Sequence, residues 1–341
     1  MSDIQVDYHP MDRRIWEEEL AAYVPEKLFD AHAHLWSDDH LPSDHPDRGV
    51  RPYADLAVHR AWAERLYPER EIHFLLLGCP VTTAMDVAAH NAFLAEEVAK
   101  DPLSRASMIA TPEMTPEEVS DAVDRYGFVG LKPYRVFSVT GDIVACRITD
   151  YLPEKLIEVA NDRELFVTLH LSKRWGCADE ENLADLARLT AQYPKVRWIL
   201  AHCARSFASW MIERAIVRLR EMPQIWYDLS AVNDVMSFYL LFKREQRERL
   251  LFGSDNILAG CAHSKYITFA KAWAYIPDHV FEQLNLSHCE GAPTLVIYEQ
   301  LRAMRQAAEM VGFGRAEVED VFYTNAARLF GIEGEDAPPK K

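Results

Sequence analysis

The sequence predicts an α/β protein folded as a (β/α)8 TIM barrel with an N-terminal extension and helical insertions at the C-terminal face. Three observations predict it. Eight short runs rich in Val, Ile, Leu and Phe recur along the chain. Most segments between them are amphipathic and carry helix start and stop signals, so strands alternate with helices and are parallel, joined by crossovers. The 341 residues exceed the about 250 of a typical barrel, which leaves room for extensions and loop insertions. A doubly wound open sheet is the structural rival, but no glycine-rich phosphate loop follows the first run.

Residues 1–27 precede the barrel, and "MDRRIWEEELAAYVP" within them reads as a helix packed on the barrel's N-terminal rim or on another subunit. The first strand is "KLFDAHAHL", and the polar segment from Ser37 to about Tyr67 is a first insertion. "IHFLLLGCP" and "ASMIATPEM" follow as the second and third strands. "TPEEVSDAVDRYG" then carries complete helix punctuation: Thr115 as N-cap, Pro116 at the first helical position, Glu118 closing a capping box and Gly127 as the stop. The fourth and fifth strands are "FVGLKPY" and "LFVTLHLS". "DEENLADLARLTAQYP" leads to the sixth, "VRWILAHC", and "SFASWMIERAIVRLREMP" to the seventh, "QIWYDLS"; each helix ends at a proline. "RLLFGSD" is the eighth. A second insertion runs from Asn256 to about Pro293, the barrel spans residues 28–331, and a charged tail occupies 332–341. No internal repeat or low-complexity linker divides the chain, so one elaborated domain is expected.

Composition narrows the partners. The 53 acidic against 37 basic residues give a formal charge of −16, a balance that repels phosphate backbones and anionic lipid surfaces, so neither nucleic acid nor a membrane is expected. No apolar run has the length of a signal peptide core or a membrane span, and a cytoplasmic location is the expectation. The six cysteines are scattered without a C-x-x-C pair, which suggests neither a disulfide framework nor a thiolate zinc site.

Chemistry gathers where the apolar runs end. Side chains alternate across a strand, so His32 and His34 project from one face near the end of the first strand and can reach one ion. His170 ends "FVTLH", His202 ends "WILAH" and Asp255 ends "LLFGSD". Singly, each is an ordinary core, cap or turn residue. A parallel barrel brings all its C-terminal strand ends to one face, so these residues become neighbours there. Imidazole and carboxylate donors without thiolate suit zinc, manganese or ferrous iron with an open water position.

The chain resembles the metal-dependent amidohydrolase superfamily, within it the amidohydrolase-related group that includes aminocarboxymuconate semialdehyde decarboxylase-like enzymes. The resemblance runs from about Leu28 to Phe330 and rests on "DAHAHLW", "GLKPY", "VTLH", "ILAHC", "LLFGSD" and the closing "TNAARLFG". It implies that His32, His34 and His170 hold one divalent ion, zinc in the first instance, with Asp255 a further ligand or the base that holds the metal-bound water. It makes His202 a group that hydrogen-bonds the water or the substrate oxygen. Some superfamily members bridge two metals with a carboxylated lysine on the fourth strand, and Lys132 stands near that place; anion binding or pairing with an acidic neighbour are its alternatives, and a mononuclear site is expected. The motif "GSDNI" departs from the proline that follows the aspartate in many relatives.

Against the acidic whole, the strand ends and loops carry Lys132, Arg135, Lys173, Arg174 and Arg205, a set suited to a small, carboxylate-bearing substrate. The insertion "NILAGCAHSKYITFAKAWAYIPDH", with His263 and Lys265, reads as a mobile lid, a packed helical segment or a subunit contact. His40 and His45 in the first insertion could add a metal ligand or lie in a solvated loop. A homo-oligomer is expected. The leading function is metal-dependent hydrolysis of an amide or lactone, with Asp255 and His202 moving protons. Non-oxidative decarboxylation of an aromatic or unsaturated acid is the alternative, since both occur in the resembling group. A metal-free lactonase would keep full activity after chelation, and a non-catalytic barrel would have lost ligand positions, which here are all filled.

Overall fold

The computed structural model describes residues 6–79, 82–256, 262–284, 286–289 and 293–332. Eight parallel strands form one sheet in sequential order: β1 Lys27–Leu35, β2 Glu71–Gly78, β3 Arg105–Ala110, β4 Gly130–Pro133, β5 Phe166–Leu169, β6 Arg197–Leu200, β7 Ile225–Asp228 and β8 Leu250–Leu251. The sheet curls into a barrel whose last seam is backbone hydrogen bonds: Ala31 N–H donates to the Phe252 carbonyl at 2.9 Å, Asp255 N–H to His32 at 2.8 Å and His34 N–H to Asn256 at 2.7 Å. Each strand matches one of the eight apolar runs. The helix Pro116–Tyr126 carries the expected signals, with Thr115 and Glu118 capping one another and Gly127 at φ 69°, the left-handed conformation that glycine adopts without steric cost.

The barrel interior explains how an apolar strand can end on imidazoles. Phe29 and Ala31 of β1 pack inward with Leu75, Leu77, Phe166, Ile199 and Leu251. Phe330 plugs the N-terminal end of this core, its ring 5.1 Å from Phe29 and 4.8 Å from Phe166. The β1–β2 register shifts between Asp30 and Ala33, a bulge that carries the inward-facing parity from Phe29 and Ala31 to His32 and His34. Asp30 pins the bulge, accepting from His32 N–H at 3.0 Å and Ser254 N–H at 2.9 Å. Apolar packing thus fills the lower barrel while polar groups occupy its mouth.

The N-terminal extension forms the helix Pro10–Ile15 and a π-helical turn, Trp16–Leu20. It lies along the barrel's flank on the helix Val296–Val311: Trp16 stacks on Tyr298 at 6.1 Å, and Arg302 pairs with Glu19 at 3.0 Å. In the first insertion the helix Leu56–Leu66 brings His59 to donate to the His34 carbonyl at 2.7 Å, bracing β1 from outside. The second insertion departs from the helical expectation over much of its described length. It holds an antiparallel hairpin, β9 Ser264–Phe269 and β10 Ala272–Pro277, before the short helix Asp278–Gln283. Branched and aromatic residues, Tyr266, Ile267, Thr268 and Phe269 facing Trp273, Tyr275 and Ile276, favour paired strands there. The hairpin is tied down by Tyr266 N–H donating to Asn233 at 2.7 Å and by Phe207, whose ring lies 4.7 Å from Tyr266 and 4.5 Å from Trp273. Residues 257–261 of that insertion and 333–341 of the charged tail lie outside the described residues. Among the described residues no helix is long and apolar enough to cross a membrane, and Cys79, Cys146, Cys177, Cys203 and Cys289 are free thiols.

A buried ion pair joins extension to insertion. His263 Nε2 donates to Asp12 at 2.7 Å, and Thr294 and His9 N–H also donate to that carboxylate. Burial works to raise the Asp12 pKa, but the bonds from His263 and Thr294 outweigh it and hold it below 3.8; burial works to lower His263, and Asp12 holds it above 6.5. The depressed aspartate contributes stability above its unfolded pKa that is lost as pH falls through its folded value. The raised histidine contributes stability below pH 6.5 that is lost as pH rises through its folded value. Asp12→Asn therefore costs about 3 kcal/mol, the scale for breaking a buried pair, with the largest deficit between about pH 4 and 6.5. Urea midpoints across pH check this; equal midpoints at pH values inside that window would refute it.

Candidate metal centre

The C-terminal strand ends converge as a barrel requires. His32 and His34 come from β1, Lys132 from β4, Asp228 from the end of β7, and His170, His202 and Asp255 from the residues just after β5, β6 and β8. His32 Nδ1 lies 2.8 Å from Asp228 Oδ2, and His34 Nδ1 lies 3.0 Å from the Gly78 carbonyl. Carboxylate and carbonyl only accept, so both Nδ1 atoms carry the proton and both Nε2 atoms present bare lone pairs. Those lone pairs face each other at 3.1 Å, with Asp255 Oδ1 at 3.1 Å from His34 Nε2 and 3.4 Å from His32 Nε2. Three electron-rich atoms at such spacing repel unless a cation lies among them. The donors of a tetrahedral zinc, bound at 2.0–2.1 Å, stand about 3.3 Å apart, so His32, His34 and Asp255 fit a divalent ion in both chemistry and spacing. Burial, helped by the charge of Lys132, brings the His32 pKa down to about 3 and keeps its lone pair free.

The supporting residues set orientation. Burial works to raise the Asp228 pKa, but His32, His202 and Ser230 outweigh it and the carboxyl stays ionised. It also accepts from the backbone N–H of His202 at 3.2 Å and of Ser230 at 3.1 Å. Ser230 gives its hydroxyl proton to Asp228 and so accepts from His202 Nδ1 at 2.9 Å, which leaves His202 Nε2 bare as well. The His202 ring stacks on His32 at 5.0 Å. Burial acts to raise Asp255 too, and His202, His34 and His32 outweigh it, so the carboxylate is ionised at neutral pH. The backbone is strained here: His202, Cys203, Ala204 and Arg205 all have left-handed φ, from 53° to 60°, and Asp255 has φ 59°. Such conformations cost about 1–2 kcal/mol per residue and concentrate at functional sites.

His170 stands beside the triad and does not join it at the same spacing. Its Nδ1 donates to the Leu171 carbonyl at 3.1 Å, and its ring meets His202 edge-on at 5.1 Å. Burial, together with Arg135, His202 and Arg205, holds it neutral, far below 6.5. Lys132 is buried, its Nζ 3.3 Å from His32 Nε2, and burial lowers its pKa to about 8 against the pull of Asp228 and Asp255.

The other basic residues divide. Among the described residues Arg135 bonds only the Ile143 carbonyl, at 3.0 Å, and Arg205 only the carbonyls of Ser172 and Lys173. Neither has a carboxylate partner among the described residues. Burial lowers Arg135, and burial plus the charge of Arg135 lowers Arg205 to about 10. Lys173 is neutralised by Glu181, and Arg174 is exposed. Lys265 pairs with Glu299 at 2.6 Å, His40 bonds His90 at 2.9 Å, and His45 lies 3.9 Å from Asp47, so His263, Lys265, His40 and His45 are engaged away from the triad. Sequence reading passed over Asp228, Ser230 and Tyr134, whose hydroxyl donates to the Gly78 carbonyl that also receives His34. Asp228 carried the usable signal, since it ends the apolar run "IWYD" as the other polar groups end theirs.

Fold and centre together define a (β/α)8 barrel with a candidate metal site at its C-terminal mouth. The chain belongs to the amidohydrolase family, whose model matches residues 29–332, and this family's fold indicates an enzyme. No curated protein sequence matches it. Among solved structures it is similar to a probable 2-pyrone-4,6-dicarboxylic acid hydrolase of Acinetobacter baumannii with citric acid bound, at 16% identity and TM-score 0.56 over 89% of this chain and 99% of that one. A dihydroxybenzoic acid decarboxylase of Polaromonas sp. JS666, with manganese and 2-nitroresorcinol, is similar at 17% identity and TM-score 0.56 over 90% and 98% of the two chains. A Burkholderia multivorans amidohydrolase with zinc bound is similar at 15% identity and TM-score 0.55 over 89% and 99%. At these identities the likeness establishes the shared fold.

Proposed function

We propose that the protein is a metal-dependent hydrolase of a small carboxylate-bearing amide or lactone. The observation that carries this reading is the set of three converging donors, His32 Nε2, His34 Nε2 and Asp255 Oδ1, next to His170, which feels the charge of two half-buried guanidinium groups, Arg135 and Arg205, without a carboxylate partner among the described residues. One divalent ion, zinc first and manganese or iron as alternatives, would be held by those donors, with His170 adjacent, and supplies Lewis acidity toward water and a carbonyl oxygen. The remaining work belongs to the chain. Asp255 takes the proton of the attacking water and passes it to the leaving group, as a fixed, ionised carboxylate can. His202, held by Ser230 with Nε2 bare, accepts a hydrogen bond from that water and orients it. Arg135 and Arg205 bind the substrate carboxylate and set the reacting carbonyl over the centre.

The test is a panel of lactones, amides and aromatic carboxylic acids turned over in oxygen-labelled water, with and without a chelator. Hydrolysis puts the solvent label into the product, and chelation abolishes it. Carbon dioxide release without label in the product assigns the same residues to non-oxidative decarboxylation, and full activity after chelation removes the metal from the reading.

A further inference from the structure

We propose that Lys132 is a built-in cation that stands in for the divalent ion at His32, so that metal and an anionic ligand bind cooperatively. The inference rests on the metal reading above and deepens it. Lys132 is 1% exposed, and its one hydrogen-bond acceptor among the described residues is His32 Nε2 at 3.3 Å. That atom is the lone pair which, with His34 and Asp255, faces the ion position. A buried ammonium with a single neutral acceptor is poorly solvated, so Lys132 is held chiefly by the field of Asp228 and Asp255.

A divalent ion at the triad takes the His32 lone pair and leaves Lys132 without its acceptor, next to a second positive charge. Two carboxylates, Asp228 and Asp255, then face three positive charges. The lysine must turn away, and the group that best receives it is an anion lying between its ammonium and the ion. Each ligand therefore raises the affinity for the other by the same factor, as linkage requires. The Tyr134 ring, 5.4 Å from Nζ, supplies a π face along which the ammonium can move without losing all stabilisation. A carboxylated Lys132 is the opposite arrangement: a negative group that would help to hold metal.

Calorimetric titration of chelator-stripped, full-length protein with Mn²⁺, with and without benzoate, separates the two. Lys132→Met keeps the volume and removes the charge; Lys132→Gln, a polar replacement, guards against a packing effect, and circular dichroism checks both folds. In the absence of benzoate both variants are expected to bind Mn²⁺ about tenfold more tightly than the wild type, within the usual range of coupled sites. Benzoate should tighten Mn²⁺ binding in the wild type and leave the folded variants unchanged. Equal or weaker binding by the variants overturns the proposal while leaving the metal centre intact, and an intact-mass gain of one carbon dioxide on the wild type does the same. Absence of Mn²⁺ binding by all three proteins overturns the metal centre itself.

Discussion

Asp255→Asn lowers kcat by about 10²–10⁴-fold, the range for losing a positioned general base. The substitution is nearly isosteric, and the Asn amide oxygen can still face His32 and His34 from the position that Asp255 Oδ1 holds at 3.4 and 3.1 Å. What disappears is the negative charge and with it the ability to accept and return a proton. Asp255 N–H donates to the His32 carbonyl at 2.8 Å through the backbone, so the barrel seam is untouched. The check is steady-state kinetics paired with metal content. A large fall in kcat at retained metal content identifies a proton-transfer role; a parallel loss of metal identifies Asp255 chiefly as a donor to the ion. Activity within about threefold of wild type would remove both roles, because a base normally contributes at least 10².

That this residue could be singled out from sequence follows from the barrel's geometry. An apolar run that ends on a polar group is visible in the chain, and closure converts the ends of eight strands into neighbours. The strands were legible too, since most are bounded by helix punctuation. The sequence pattern did not reveal the bulge that turns His32 and His34 inward, because register is a property of two strands, and β1 alternation reads equally well in either parity. Nor could it separate Lys173 from Arg135. Lys173 finds Glu181 across a short turn and helix start, whereas Arg135 among the described residues bonds only a carbonyl, and nothing in composition distinguishes the two loops. The hairpin was obscured because Gly, Ala and aromatic residues in "AGCAHSKYITFAKAWAYIP" fit a lid, a helix or a strand pair alike. His170 ends its run as expected, but the turn after β5 aims its ring at His202, a conformation that no local pattern encodes.

Removing either guanidinium, Arg135 or Arg205, is the second large effect. Arg135→Ala and Arg205→Ala each raise KM by about 10–150-fold, the equivalent of one hydrogen-bonded charge at 1.5–3 kcal/mol, with little change in kcat. The argument is electrostatic. Burial lowers the proton affinity of both and the charge of Arg135 lowers that of Arg205 further; two cations half out of water and bonded, among the described residues, only to carbonyl oxygens are less stable together than apart. A protein retains such a pair at an open barrel mouth when a bound anion completes it. It follows that the free enzyme gains from losing one of them: each single variant should be at least as stable as wild type in urea, even as it binds substrate less well. Opposite signs for stability and affinity are the signature, because an arginine with a purely structural role would lose both together. Arg188→Ala, which breaks an exposed pair with Glu154 at 2.7 Å, serves as the control and leaves KM unchanged. If KM for every anionic substrate stays at its wild-type value in both Arg135 and Arg205 variants, the clamp is wrong. The substrate carboxylate would then have to be sought at Lys132, the other cation buried in the site.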